Sequence, residues 1–175
     1  TLGEMIGLRI SEGVYLKEGF GLLPRAIFWG FTGMLIKIAF IIFATGAPVF
    51  VDHYVYHLPE NVMATGFTPE KLLTAFAISA TMNLLFAPIF MILHKVSDIH
   101  IQETNGKLGQ FFSLPDFSRI LQKMDWSVMW GFVFKKTLPL FWIPAHTLTF
   151  MLPPNLQILF AAFLGIVLGV ILAFA

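Results

Sequence analysis

The chain has 175 residues, of which 57% are hydrophobic and only 12% are charged, about half the charged share of an average soluble domain. Its formal net charge of +1 excludes a basic nucleic-acid-binding surface, because phosphate binding needs clustered cations. The absence of cysteine excludes disulfide bonds and thiolate metal sites. We therefore predict an all-α integral membrane protein with a single membrane domain over residues 1–175.

The N-terminal segment, residues 1–25, contains five glycines, which disfavour a helix, and mixes apolar with charged side chains. We interpret it as a segment lying at the membrane interface, with a frayed terminus as the alternative. It lacks the ordered charged, apolar and cleavage regions of a signal peptide, so none is predicted.

Four apolar stretches follow, each about long enough to cross the roughly 30 Å hydrocarbon core as a helix. We predict transmembrane helices at residues 26–51, 72–93, 127–152 and 156–175. The second has a typical helix start, because Thr68 can cap it, Pro69 suits the first helical position and Glu70 complements the positive helix end. The third and fourth are joined by a three-residue turn, 153–155, and should be antiparallel neighbours.

The only long hydrophilic stretch, residues 94–125, is predicted to be a loop on the cytoplasmic or matrix side. Within it, Ser113 to Asp116 resembles a capping box, and apolar residues then recur at helical spacing from Phe117 to Met124. We predict an amphipathic helix there, lying on the membrane surface. Seven cations in 1–25 and 94–125, against one in 52–71, place both termini on the matrix or cytoplasmic side.

Among the polar residues inside the predicted spans, five stand out: Lys37, Lys135, Lys136, Asn83 and His146. Charge within a membrane is expensive, so these residues are candidates for a polar path or for a contact with phospholipids or other anions. The alternative is that the lysines snorkel to the interface, or that the third span begins later. We expect His146 to form a hydrogen bond between helices.

Signals of chemistry are otherwise sparse. His53 and His57 stand one helical turn apart beside Asp52, but no third ligand stands at diagnostic spacing, so we predict neither a metal nor a cofactor. The sequence shows no nucleophile–base pair, glycine-rich phosphate loop or paired carboxylates, so we predict no catalytic residues and no enzyme.

The last predicted helix carries small residues at four-residue intervals, a spacing that lets helix backbones approach closely. This small-residue stripe consists of Ala161, Gly165, Gly169 and Ala173. It packs either against the protein's own helices or, if it faces outward, against a partner.

Two sets of motifs occur in order along the chain. In the C-terminal hairpin they are carried by Trp142, Pro144, His146, Thr149, Phe150 and Pro154. Upstream, a Gly-Ala-Pro precedes a His-Tyr pair, and a Met-Asn pair precedes an Ala-Pro, at Pro48, Tyr54, Asn83 and Pro88. In order and spacing the motifs resemble the Mpv-seventeen and peroxisomal membrane protein family of four-helix organelle membrane proteins.

The resemblance implies a mitochondrial inner-membrane location, with a bacterial inner membrane as the alternative. Some family members are described as channel-like, and relatives can be built into larger membrane assemblies. The family's motif Asp, Asn and Arg are replaced here by Met82, Thr149 and Ile158, which favours a scaffold with an apolar interior.

Our leading hypothesis is a non-catalytic four-helix membrane protein that acts as an accessory or structural subunit of a larger inner-membrane complex. Its expected partners are other membrane subunits and membrane lipids, including cardiolipin or another anionic lipid. The alternative is a channel or solute-transport protein of the Mpv-seventeen type with a lysine-lined path.

Overall fold

The computed structural model describes residues 1–173, with side chains through residue 170. Within these residues the chain is all-α, as predicted, and contains no strand. The helices are α1 (Leu2–Glu12), α2 (Leu22–Tyr54), a 3-10 turn (Val62–Ala64), α3 (Pro69–Leu85), α4 (Ala87–Glu103), α5 (Leu108–Phe111), α6 (Phe117–Lys123), α7 (Trp126–Val128), a π-helix (Met129–Trp142), α8 (Ile143–Met151) and α9 (Pro154–Ala173).

The chain divides into two compact units, which are described separately. Unit 1 comprises residues 1–34 and 91–124 together with the described chain from Ala162 onward. Unit 2 comprises residues 35–90 and 125–161.

In unit 1, Leu2–Glu12 forms a helix, although the five glycines of residues 1–25 disfavour one, and the interfacial location of this segment stays a prediction. The helix ends at Gly13, whose left-handed backbone (φ 78°) suits glycine. Gly3 is buried, and a Cβ added to it would lie 2.9 Å from the carbonyl oxygen of Gly165 in α9. Packing against α9 therefore overrides the poor helix propensity of the segment.

The prediction of a loop over residues 94–125 was wrong in its first part, because α4 continues to Glu103. Buried Val96 and Ile101 give this hydrophilic stretch an apolar face that packs within the unit. The helix at Phe117–Lys123 is confirmed, but its cap differs from the prediction. Asp116 caps it by accepting a hydrogen bond from the Arg119 backbone N–H, at 3.0 Å.

In unit 2, the predicted helix start at Thr68 is confirmed. Its side chain accepts a hydrogen bond from the Lys71 backbone N–H at 3.1 Å, and Pro69 occupies the first turn. The second predicted span is interrupted at Phe86, and the helices on either side of the break are bent by 47°. Pro88 explains the break, because proline lacks an N–H and its ring clashes with the preceding helical turn.

The third predicted span is helical from Trp126 to Met151, but it is divided into α7, the π-helix and α8. Pro139 lies inside the π-helix and cannot donate to an α-helical hydrogen-bond ladder. The core of unit 2 lies where α2, α3 and α8 meet. It consists of Phe40, Ala47, Ala75, Ile78, Met82 and Phe150.

Only α2, with 33 residues, is long and apolar enough on its own to cross a membrane among the described residues. The bent pair α3–α4 makes a second crossing if it is one broken span, so this criterion gives one or two spans instead of the predicted four. The other two predicted spans do not meet the criterion. The third is divided into short helices, and the apolar helix described for the fourth, Pro154–Val170, is too short. A signal sequence or a buried core helix meets the same criterion.

Candidate functional site

Two of the five polar residues predicted within spans meet in unit 2. The side-chain nitrogen Nδ2 of Asn83 in α3 lies 3.0 Å from Nδ1 of His146 in α8. Asn83 is fully buried, with 0% of its surface exposed. The interhelical hydrogen bond expected of His146 is therefore present, and we call this pair the Asn83–His146 site.

Ser79, one turn before Asn83 on α3, fixes the orientation of the site. Asn83 Nδ2 also donates to the Ser79 carbonyl oxygen at 2.9 Å, which identifies this atom as the amide nitrogen. His146 Nδ1 also lies 3.3 Å from Asn83 Oδ1, so the imidazole tautomer decides whether His146 accepts from the amide nitrogen or donates to the amide oxygen. The Ser79 hydroxyl donates to the Ile143 carbonyl oxygen at 2.7 Å, so α3 and α8 are joined by two polar contacts.

Aromatic rings surround His146. The Trp142 ring stacks on the imidazole with centroids 4.9 Å apart and planes 25° apart. The Phe40 ring meets the imidazole edge-on, with centroids at 5.8 Å, and also contacts Phe150 at 4.9 Å. Trp142, Phe40 and Phe150 are all buried, as is Asn83, whereas His146 is half-buried.

Other polar groups on α8 are satisfied within their own helix. Thr149, which stands where the family motif has Asn, is fully buried and donates to the Ala145 carbonyl oxygen at 2.9 Å. Thr147 donates in the same way to the Ile143 carbonyl oxygen at 2.7 Å. These hydroxyls therefore do not extend the Asn83–His146 site.

The structure does not bring the three predicted lysines to this site. Lys37 of α2 and Lys135 and Lys136 of the π-helix are exposed. Within the described chain none of them forms a hydrogen bond or an ion pair, although Lys135 Nζ lies 6.0 Å from the centre of the Trp130 ring. They present positive charge on the surface of unit 2.

Most of the remaining motif positions mark helix ends and bends. Tyr54 ends α2 and is exposed, and Pro88 follows the break between α3 and α4. Pro144 lies in the first turn of α8, and Pro154 begins α9. Pro48 lies inside α2. Three of the four motif prolines thus lie at the first turn of a helix, and Pro48 does not.

Part of the small-residue stripe of α9 packs inside the molecule, whereas Gly165 is exposed and a Cβ added to it would meet no atom within 4 Å. In unit 1, a Cβ added to Gly169 would lie 2.7 Å from the Gly3 carbonyl oxygen, so α1 covers this part of the stripe. In unit 2, Ala161 packs against the hydrophobic core. The side chain of Ala173 lies outside the described residues. Of the two alternatives, the structure favours packing against the protein's own helices.

A cluster of charged residues in unit 1 was not predicted from the sequence. Arg25 of α2 donates to Asp98 Oδ1 of α4 at 2.6 Å and to Glu4 Oε1 of α1 at 3.1 Å. His94 Nδ1 lies 3.6 Å from Asp98 Oδ2, and His94 Nε2 lies 3.7 Å from Glu4 Oε1. The one signal in the sequence was the i,i+4 spacing of His94 and Asp98.

The electrostatics of Glu4 reflect this cluster. Burial by itself raises the pKa of the Glu4 carboxyl, but the contact with His94 and the charge of Arg25 outweigh burial. Together with the other nearby positive charges, they lower the pKa from its ordinary 4.5 to about 2. Glu4 is therefore ionised at neutral pH.

The partial metal pattern around Asp52 lies at the exposed end of α2. Asp52 Oδ1 is 3.1 Å from His57 Nδ1 and also accepts a hydrogen bond from the Leu58 backbone N–H at 2.7 Å. His53 Nδ1 is 3.9 Å from the other carboxylate oxygen. Asp52 thus closes the turn after α2.

No family model, curated protein or solved structure matches the chain.

Proposed function

We propose that the chain is a non-catalytic helical membrane protein that serves as an accessory or structural subunit of a larger inner-membrane complex. The observation that carries the proposal is the apolar surface of α2. Eight large aliphatic or phenylalanine side chains of this helix are each more than half exposed: Leu23, Phe31, Met34, Ile38, Ile41, Ile42, Val49 and Phe50. A soluble monomer rarely exposes so continuous an apolar surface, which lipid or an apolar partner would cover.

The other apolar stretches support a four-span arrangement. Leu84, Leu85 and Ile89, around the break between α3 and α4, are each more than 60% exposed, and so is Leu140 of the π-helix. Broken helices occur in membranes where neighbouring groups satisfy the backbone. The hydrogen bond from the Ser79 hydroxyl to the Ile143 carbonyl oxygen is a contact of this kind.

The Asn83–His146 site supports a scaffold over a pore. Residues that line a pore must face water or the solute. Here the buried amide bonds to the imidazole, and aromatic rings surround the pair. In a membrane, hydrogen bonds of this type hold helices together.

The proposed family follows from the same residues. Trp142 stacks on His146 and Phe150 packs against Phe40, which contacts His146, and both Trp142 and Phe150 stand at motif positions of the Mpv-seventeen and peroxisomal membrane protein family. We propose distant membership of this family and a mitochondrial inner-membrane location with both termini in the matrix. Exposed Lys135, which lies over the Trp130 ring, and exposed Lys136 suit the headgroups of anionic lipids such as cardiolipin.

The experiment is to extract the native protein in mild detergent and measure the mass and composition of the particle that contains it. A subunit is expected to copurify with a constant set of membrane proteins in constant proportion. Recovery as a monomer or a small homo-oligomer, under conditions that keep known complexes of the same membrane intact, would contradict the proposal.

A channel or solute-transport protein is the second candidate, favoured by three exposed lysines without an acidic partner in the described chain. Lys37→Met and Lys136→Met remove positive charge with little change in side-chain length. A channel is expected to lose conductance or anion preference in planar bilayers. A structural subunit is expected to change only in assembly.

A further inference from the structure

We propose that Glu4, His94 and Asp98 form a binding site for one divalent transition metal ion of the Zn²⁺ class. We call these residues the Glu4–His94–Asp98 site. All three belong to unit 1, and the proposal does not depend on the function proposed above.

The geometry brings three ligand atoms together. His94 and Asp98 are four residues apart on α4 and therefore share one helix face, and α1 contributes Glu4. One ligand atom from each residue lies within 4.8 Å of the other two. Ligands at about 2.0–2.2 Å from a tetrahedral zinc ion lie roughly 3.3–3.6 Å from one another, so a small side-chain movement would close the site.

Arg25 holds the carboxylates in place without using all of their oxygens. Its Nη1 bonds to Glu4 Oε1 and Asp98 Oδ1, which leaves Glu4 Oε2 and Asp98 Oδ2 for another cation. Outer groups that bond to ligating carboxylates and fix their orientation are a regular feature of metal sites.

Two of the ligand atoms form no hydrogen bond within the described residues. Glu4 Oε2 and His94 Nε2 are buried. His94 Nε2 lies 3.7 Å from Glu4 Oε1, which is longer than a hydrogen bond. Buried polar atoms are nearly always hydrogen-bonded, so two orphans in one cluster indicate a missing partner. The Thr1 amino nitrogen is 3.6 Å from Glu4 Oε2, which is beyond hydrogen-bond length.

One imidazole nitrogen with two carboxylate oxygens, and no thiolate, is a donor set that suits Zn²⁺.

The experiment measures Zn²⁺ binding to the full chain, purified in detergent and stripped with a chelator. The starting protein carries His53→Gln and His57→Gln, so that the exposed imidazoles beside Asp52 cannot contribute. Equilibrium dialysis followed by elemental mass spectrometry is expected to give one Zn²⁺ per chain. His94→Gln is expected to weaken binding at least about tenfold, the lower end of the loss seen even for outer-shell changes.

The matched control is Glu60→Gln, which neutralises an exposed carboxylate outside the site and should leave Zn²⁺ affinity unchanged. Asp98→Asn is the second site variant, because the amide oxygen can still accept from Arg25; circular dichroism checks that each variant is folded. If the starting protein binds no Zn²⁺ above the level of His94→Gln, or if Asp98→Asn binds as tightly as the starting protein, the proposal is overturned.

If His94→Gln does not fold, Co²⁺ absorbance of the folded starting protein and of Asp98→Asn decides. Visible bands of tetrahedral Co²⁺ are expected in the former and not in the latter. Absence of these bands from both proteins would overturn the proposal.

Discussion

The hydrogen bond between Asn83 and His146 should stabilise unit 2, and the two side chains should therefore be energetically coupled. We predict this coupling from a double-mutant cycle of Asn83→Ala and His146→Ala. Each single variant leaves the other polar group buried without its partner, whereas the double variant removes both groups. The sum of the two single destabilisations should therefore exceed that of the double variant.

The magnitude follows from the contacts. Loss of a partner for a buried polar group costs about 1–3 kcal/mol. Asn83→Ala also abolishes the bond to the Ser79 carbonyl oxygen and truncates a fully buried side chain, so about 2–4 kcal/mol is expected for that variant. The pairwise coupling should be about 0.6–1.7 kcal/mol, as for hydrogen bonds between membrane helices.

The assay is reversible unfolding in mixed micelles, followed by tryptophan fluorescence. Trp142 stacks on His146 and therefore reports on the site directly. The control cycle pairs Asn83→Ala with Thr81→Ala on the same helix. The Thr81 hydroxyl bonds within α3 to the Ala77 carbonyl oxygen, at 2.7 Å.

The control cycle should be additive within about 0.5 kcal/mol. A coupling between Asn83 and His146 no larger than that of the control would refute the reasoning. The two side chains would then be neighbours without a stabilising bond, and the argument for a scaffold would lose its main support.

Three further predictions address packing, topology and pH. Gly169→Ala places a Cβ 2.7 Å from the backbone of α1 and should destabilise the packing of α1 on α9 by about 1–3 kcal/mol. Gly30→Ala is the control, because a Cβ there meets nothing within 4 Å, and it should stabilise α2 by about 0.5–1 kcal/mol. Hydrogen exchange measures both effects. Because the sequence has no cysteine, single cysteines introduced at Lys107 and at Glu60 can be labelled selectively from one side of the membrane or the other. The four-span arrangement requires these two positions to lie on opposite sides of the membrane. Labelling of both positions from the same side would contradict it. The pKa of Glu4 is lowered in the folded chain, so ionised Glu4 should stabilise the fold above pH 4.5, and this stabilisation should be lost as the pH falls towards 2. Thermal unfolding of the parent protein and of Glu4→Gln across this pH range checks the prediction. An equal loss of stability in both proteins would exclude Glu4 as the cause.

Local chemistry was enough to predict several elements. The helix start at Thr68 needs only a hydroxyl, a proline and an acid in consecutive positions, and the structure contains it. The first apolar stretch and the amphipathic helix after Asp116 were also predicted, because their side-chain pattern lies within one segment. The sequence likewise singled out Asn83 and His146 as polar residues in apolar surroundings.

Packing between distant segments decided the rest. Residues 2–12 form a helix because Gly3 lets α1 approach α9, a contact between residues more than 160 positions apart in the chain. Asn83 and His146 are 63 positions apart, and the sequence could not show that they bond to each other. The Arg25 cluster joins three helices, and no pattern within one segment predicts such a cluster.

The sequence by itself thus determined the apolar character of the chain, its helical class and those helix ends that depend on neighbouring residues. The tertiary structure alone decided which polar groups are paired, which lysines remain exposed and which helix covers the small-residue stripe. The physical reason is range: capping and helical periodicity act within a few residues, whereas burial and hydrogen bonding between helices depend on how the whole chain packs.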